Sequence, residues 1–530
     1  MSTTRAPTPT AGGTGTRPPG SRPRGRAATA LWLAPIALAA ATMLVLGLWG
    51  LARHDAMGND EIVTRYASML SFGQLAHLLK HTDIYHGFYY VLMHGWAVLG
   101  TTPVIIRIPS VIAMTVAAGL LVYVARRLSG SAWTGLFAGL IMALTPVISF
   151  YAQTAREYAT IIVVVLCATL ALVRAIEAEM AGAPRERIMT RWLVYAPLIT
   201  VCGYLNEITL AVLAAHAVTL LLARPGRRAM VHWAAAGAAG AVLVLPVVAL
   251  SLRQDSAASW ITRPTVHDLG TLFHDYFGSQ NIVGAAVLLC ALVALLPAGR
   301  SGPPWWRRSG ITLPSVAAPL LVMPAGVVLL ESVVAHPVYV DRYVLFGEAG
   351  AAMLAGAGLY RIGQWLADVT RQRALVAVTG AVVCLGVLLL QLGPQQRART
   401  PESRLFDYGD PAFYIGAHAR PGDGVLFFNW FFRKIRLGYP EEFRNTTDFG
   451  MAISPQQSGT LNGFEKPPDV VRRLMLGYQR IWVVGRAPSD HVADPAVRAE
   501  GELLMRRYRL ITERHYKSIT VTLWQQRGAS

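Results

Sequence analysis

Charge is what this chain has least of. Only 15% of its 530 residues are Asp, Glu, Lys or Arg, against about 25% in a typical soluble domain. Hydrophobic residues make up 53%, and the mean hydropathy is +0.40. That balance excludes an ordinary soluble protein, and the repeated apolar stretches of about 20 residues fit helices crossing a hydrocarbon core of about 30 Å. Cysteine is almost missing: Cys167, Cys202, Cys290 and Cys384 all fall in apolar stretches without ligand-like spacing, so they read as small packing residues. None lies beyond residue 392, which excludes a disulfide there. Acids are absent from residues 1–27, which are rich in Pro, Gly, Thr and Ser and carry Arg5, Arg17, Arg22, Arg24 and Arg26. Such a composition cannot bury a core, and predicts a disordered cationic cytoplasmic tail. No internal repeat of fixed period is present, and no aromatic-basic module of a nucleic-acid binder. The net charge of +18 therefore does not signal nucleic acid.

The arginines instead gather between apolar segments, at 126–127, 185–191, 224–228, 300–308 and 361–373. The positive-inside rule places these loops in the cytoplasm. The run 28–51 is too long for a signal-peptide core of about 7–15 residues, and reads as an uncleaved first helix with its N-terminus cytoplasmic. Further helices are expected at 107–128, 131–150, 158–176, 192–205, 208–223, 230–252, 282–296, 311–334, 343–361 and 374–392. That gives eleven spans in a transmembrane domain over 28–392. Eleven is odd, so the C-terminus lies outside. Segment 88–100 is apolar but short and holds His94, which suits an interfacial helix within a long first external loop, 52–106. Residues 393–530 change character. Short apolar runs at 424–429, 480–485 and 518–524 read as strands, and 411–419, 468–476 and 495–508 as helices. This alternation predicts a small extracytoplasmic α/β domain.

The acidic pair Asp60-Glu61 follows the first apolar segment by a few residues. Ionised groups near lipid are costly and tend to be kept for chemistry or transport; the plain alternative is a solvated loop. Glu207, Glu331 and Glu348 fall in or near spans and invite the same question.

The acidic pair, the aromatic stretch Phe88-Tyr89-Tyr90-Val91-Leu92-Met93-His94, Arg107-Ile108-Pro109-Ser110 and Arg126-Arg127-Leu128-Ser129-Gly130 occur in that order. With Tyr151-Ala152-Gln153-Thr154-Ala155-Arg156-Glu157-Tyr158, Trp260 to Thr265, Asp341-Arg342-Tyr343 and Ala417 to Asp423, the pattern resembles the GT-C glycosyltransferases. Nearest are the protein O-mannosyltransferase and aminoarabinose-transferase-like membrane enzymes of bacteria (glycosyltransferase family 39-like). The resemblance implies a GT-C fold and an inverting transfer of a sugar, mannose or arabinose-like, from a polyprenyl-phosphate donor. The acceptor would be a hydroxyl on a glycan, lipid or protein at the outer face of the membrane. Asp60 would be the general base, and Glu61 a second candidate or a support. Arg342 would bind the donor phosphate with Tyr343 beside it; Arg156, Glu157, Lys80 and His81 would shape the donor site. Arg107 reads only as a helix-end anchor. The chain departs from the family at Asn206-Glu207, where a His-Tyr pair is common, and at His86-Gly87, where Pro-Pro is usual; both touch substrate contacts. The histidines around the interfacial helix match no common metal-ligand spacing, so neither metal nor other cofactor is expected. From another class, a lipid or glycolipid flippase would carry acids and glycines near mid-bilayer and an inverted repeat; neither is evident.

Overall fold

Each of the eleven apolar segments is helical, as their length and lack of charge dictate. The computed structural model describes every residue except 1–25, 54, 255–259, 298–308, 405, 486–493 and 529–530; the 300–308 loop and the expected cationic tail up to residue 25 lie outside the described residues, and the last two tail positions, Arg26 and Ala27, open the helix Arg26–Leu48. Among the described residues, six helices are long and apolar enough to cross a bilayer, or up to nine if each of three bent pairs counts as one span. Trp32–Leu48 and Glu207–Ala223 are shorter apolar helices. The bends have local causes. Pro146 pushes Thr145 into extended backbone (ψ 119°) and ends the helix Ala132–Leu144, so Pro146–Ala152 leaves at 70°. Gly278, at φ 122°, makes the turn between Val266–Phe277 and Asn281–Leu295.

Glu348–Thr370 is the central helix, packed against Asn281–Leu295 and Ala132–Leu144. Backbones touch where it carries glycine: a Cβ on Gly358 would meet the Cys290 carbonyl oxygen, and one on Gly356 the Ala138 amide, both far inside contact distance. Close approach through small residues is how helices associate in lipid, where apolar burial alone gives no preference for a neighbouring helix.

One end of the bundle carries a second layer. The helices Asn59–Met69, Phe72–His81 and Gly87–Trp96 lie there. The last of these buries Tyr89, Tyr90 and Met93 and leaves Val91 and Leu92 exposed; it is too short to be a span. Beside them is a five-stranded sheet of order β2-β1-β5-β7-β6, formed by β1 (Asp423–Phe428), β2 (Thr446–Asp448), β5 (Arg480–Gly485), β6 (Tyr508–His515) and β7 (Thr520–Gln526). Strands β3 (Met451–Ile453) and β4 (Phe464–Glu465) form a separate hairpin. β2, β1 and β5 run parallel, with Val425 opposite Trp482, and β7 and β6 are antiparallel. The long loop and the C-terminal region, expected as separate units, share one apolar core: Ile62, Tyr66, Leu75 and Tyr90 pack in the same cluster as Tyr408, Phe427, Phe432 and Trp482. Tyr439 pins them together, its Oη accepting from the Met57 amide (2.8 Å) and donating to the Asp55 carbonyl (2.7 Å). Arg65 donates to the carbonyls of Thr101 and Gly438.

Candidate active site

Asp60 and Glu61 occupy the first turn of Asn59–Met69. Successive residues of a helix point about 100° apart, and this separates the pair completely. Glu61 turns inward and is 1% exposed. Its Oε1 accepts from Arg107 Nε at 2.7 Å and from the Ala155 amide at 3.2 Å; its Oε2 accepts from Arg107 Nη2 at 3.0 Å and from the Gly58 amide at 3.2 Å. Arg404 Nε lies 3.7 Å from Oε2, and Arg404 also donates to Thr154 Oγ1 and the Gln153 carbonyl. Burial opposes ionisation of Glu61, but the Arg107 and Arg404 charges outweigh it and hold the carboxyl at about 2. Every lone-pair direction is taken, so Glu61 is a clamp between the first loop, the Gln153–Ala155 turn and the C-terminal region. That geometry corrects the expectation of Glu61 as a second base, and of Arg107 as a mere helix-end anchor.

Asp60 faces the other way, with 31% of its side chain exposed. Arg342 Nε is 3.8 Å from its Oδ2 and donates to Tyr158 Oη at 3.0 Å. The Arg342 guanidinium sits over the rings of Trp260 and Tyr343, at 5.4 and 5.5 Å, while Asp341 accepts from the Arg342 amide at 2.8 Å. Burial pushes the Asp60 carboxyl up, yet the charges of Arg156, Arg342, His86 and Lys434 win and hold it below the usual carboxylate range. It stands ionised among cations.

Arg156 is buried behind it, donating to Tyr90 Oη (2.9 Å) and Thr64 Oγ1 (3.4 Å), with Glu157 Oε2 3.5 Å from its Nε. Tyr90 Oη in turn donates to Asp83 at 2.9 Å. Glu157 is fully buried, and His86 Nδ1 lies 2.9 Å from its Oε1. Its contacts with His86 and Arg156 outweigh burial and hold the Glu157 carboxyl below its ordinary value. The structure thus brings Asp60, Arg342, Tyr343, Arg156 and Glu157 to one end of the bundle. Lys80 and His81 lie at the same end but are exposed on Phe72–His81, where His81 packs edge-on against His77 (4.7 Å) beside the 457–459 segment; neither is among the charges that act on Asp60. Of the other acids, Glu207 accepts from Ser251 Oγ (2.8 Å), Glu348 is fully buried and Glu331 is exposed.

Sequence reasoning missed Tyr158 and Lys434 as neighbours of Asp60. Lys434 comes from the far end of the chain and nothing local marks it, although it follows the aromatic run Trp430-Phe431-Phe432 just after a strand-like segment. An open apolar groove of about 610 Å³, lined by Pro146, Val147, Phe150, Pro394 and Ala398, lies beside this site but not at Asp60. It meets the Glu61 clamp through Phe150, whose ring is 4.6 Å from the Arg404 guanidinium. Among the described residues no three His, Cys, Asp or Glu side chains converge as metal ligands.

A helical bundle capped by charged loops and a small sheet is the GT-C architecture, and the chain is a multi-pass membrane protein of that fold. Over residues 85–252, about a third of the chain, it matches the family described as dolichyl-phosphate-mannose-protein mannosyltransferase. That stretch holds Arg156, Glu157 and His86 but not Asp60, Arg342 or Lys434. No curated protein sequence matches the chain. Among solved structures it is similar to ArnT from Cupriavidus metallidurans bound to undecaprenyl phosphate, at 15% identity and TM-score 0.57, over 93% of this chain and 98% of that one. The apo state of the same protein gives 14% identity and TM-score 0.57, covering 94% and 98%. At this identity the likeness establishes the fold. The resemblance to GT-C glycosyltransferases read from the sequence holds in both comparisons.

Proposed function

We propose that the protein is an inverting glycosyltransferase of the outer membrane face, moving mannose or an arabinose-like sugar from a polyprenyl-phosphate donor to an acceptor hydroxyl. One observation carries this reading: an ionised, partly open carboxylate, Asp60, with an arginine 3.8 Å away in a chain whose fold and family match are those of glycosyltransferases. The solved relative that binds undecaprenyl phosphate agrees with a lipid-phosphate donor.

The acceptor oxygen attacks the anomeric carbon from the face opposite the leaving group, and its proton passes to Asp60. The bond from the anomeric carbon to the phosphate oxygen breaks, and its electron pair stays on the lipid phosphate. Arg342, with Nε beside Asp60 and Nη1 3.9 Å from Asp341, carries a planar guanidinium suited to bidentate contact with phosphate oxygens. Arg156 is already committed to Tyr90, Thr64 and Glu157, so it acts at a distance through its charge. Asp341, Tyr158 and the rings of Trp260 and Tyr343 hold the Arg342 guanidinium in place. Glu61 holds the turn that carries Asp60.

The test is transfer of labelled sugar from polyprenyl-phosphomannose to total membrane acceptors, by membranes holding wild type or Asp60→Asn. Transfer by wild type alone supports donor, class and base together. Equal transfer by both removes Asp60 from the mechanism, and absence of transfer with mannose and arabinose donors alike overturns the reading.

A further inference from the structure

Lys434 ends the single 3-10 turn Trp430–Lys434 that follows β1. Asn429, at φ 124°, makes the turn, and its side chain caps it by accepting from the Phe431 amide at 2.9 Å. Strand β1 lies between its parallel neighbours β2 and β5, so the chain leaves its carboxyl end where strand order changes direction. In parallel sheets that is where ligands bind.

The two cations of this turn meet opposite fates. Arg433 is fully paired, with Asp448 and Glu465 each at 2.9 Å. Lys434 is 8% exposed, and among the described residues its ammonium has no hydrogen bond and no carboxylate within 4 Å. It lies over the Phe431 ring at 4.5 Å, and Asp83, Asp60 and Arg156 are the charges that act on it. Asp83 is taken by Tyr90 and Asp60 is nearest Arg342. An ammonium has three donors and no acceptor, and a buried one without an anion is costly. A packing role for the aliphatic stem is served equally by methionine and leaves that cost unexplained.

We propose that Lys434 binds the anionic phosphate of the lipid phosphate, so that the C-terminal region completes the membrane site. This rests on the transfer reading above. Arg342, Arg156 and Lys434, three cations that act on Asp60, then come from three distant parts of the chain. Because Lys434 is held by β1, whose Phe427 and neighbouring Phe432 share a core with Asn59–Met69, the phosphate contact and Asp60 are set in one rigid layer.

The experiment measures binding of undecaprenyl phosphate to the full chain in nanodiscs, for wild type, Lys434→Met and Lys434→Arg, with undecaprenol as the probe lacking phosphate. Loss of one charge-assisted contact predicts that Lys434→Met binds undecaprenyl phosphate roughly tenfold to a hundredfold more weakly, with undecaprenol binding and Tm no lower than wild type. Lys434→Arg restores most of the affinity. In transfer assays KM for the donor rises in Lys434→Met, by less than the loss for the monoester product, which carries more charge. If wild type binds undecaprenyl phosphate and Lys434→Met binds it within twofold, Lys434 is a packing residue and this proposal falls while the transfer reading stands. If wild type binds no undecaprenyl phosphate, both fall.

Discussion

Asp60 and Glu61 are neighbours on one helix turn, yet they build two different kinds of charge cluster. The Glu61 cluster is closed: two arginines and two backbone amides saturate one carboxylate that is 1% exposed. The Asp60 cluster is open. Its carboxylate and Arg342 are 31% and 22% exposed and stand 3.8 Å apart, and Lys434 has no anion of its own. Saturation is what a structural ion cluster needs, because any unpaired buried charge is costly. A site for a charged substrate needs the opposite, groups left short of partners until the substrate arrives. The contrast, more than the presence of acids, separates the part of the molecule that does chemistry from the part that holds it together.

The sharpest way to break this contrast is to neutralise each acid without changing its shape. Asp60→Asn is expected to lower transfer by about 10²–10⁴-fold with at most a small loss of Tm, since the surrounding cations favour the ionised carboxylate but the side chain is partly exposed. Glu61→Gln is expected to act on the fold, destabilising by about 3–5 kcal/mol because Arg107 and Arg404 lose the anion they share. Thermal unfolding and transfer measured on both variants decide the matter. If Glu61→Gln keeps wild-type stability and loses transfer, the two roles have been exchanged.

Arg342→Gln sharpens the open half. Removing one preorganised charge stabiliser is expected to cost about 3–4 kcal/mol in the transition state, read as kcat/KM. It also has a pH signature. The Arg342 charge helps to hold the Asp60 carboxyl below its ordinary value, and the base works only when ionised. The acid limb of kcat/KM for wild type therefore lies below the usual carboxylate range, and moves to higher pH in Arg342→Gln. An unmoved limb would separate Asp60 from Arg342.

How much of this was legible in the sequence follows from the range over which each feature is encoded. The helices were, because a span is written in some twenty consecutive residues, and so were β1, buried along its whole length, and β5, buried from Ile481 on. Strand β6 was not: it is an edge strand with Arg509, Glu513 and Arg514 outward, and it leaves the helix Pro495–Arg507 without a break, so its first residue was read as helix. The short β2 has three residues and no pattern to show. Asp60 drew attention as an acid beside an apolar segment, but the sequence could not say that Asp60 and Glu61 part company, since that depends on Arg107, Arg404 and Ala155. Lys434 is the extreme case, 374 positions from Asp60 by their numbers, joined to it only by a shared core. Lys80 and His81 show the converse, residues near the pair in sequence that stay exposed on the separate helix Phe72–His81.

A third acid tests the rule in the absence of strong pairing. Glu500, in Pro495–Arg507, is 6% exposed, and burial together with the nearby Glu465 pushes its carboxyl up to about 7, with Arg472 opposing. Neither closed by arginines nor open to substrate, it should be a cost to the fold whenever it is ionised. The folded form holds the proton more tightly than the unfolded chain, whose carboxyl titrates near the ordinary glutamate value of 4.5. Stability from this group is therefore fully present below that value and lost as pH rises through about 7. With screening by solvent, the loss should be about 1 kcal/mol, the smallest effect considered. Glu500→Gln should remove it: amide exchange in Pro495–Arg507 should quicken between pH 5 and 8 in wild type, after correction for the intrinsic rate, and stay level in the variant. If wild type is equally protected at both pH values, Glu500 has an anion-stabilising partner after all, and buried acids in this layer need no arginine clamp of the kind that Glu61 has.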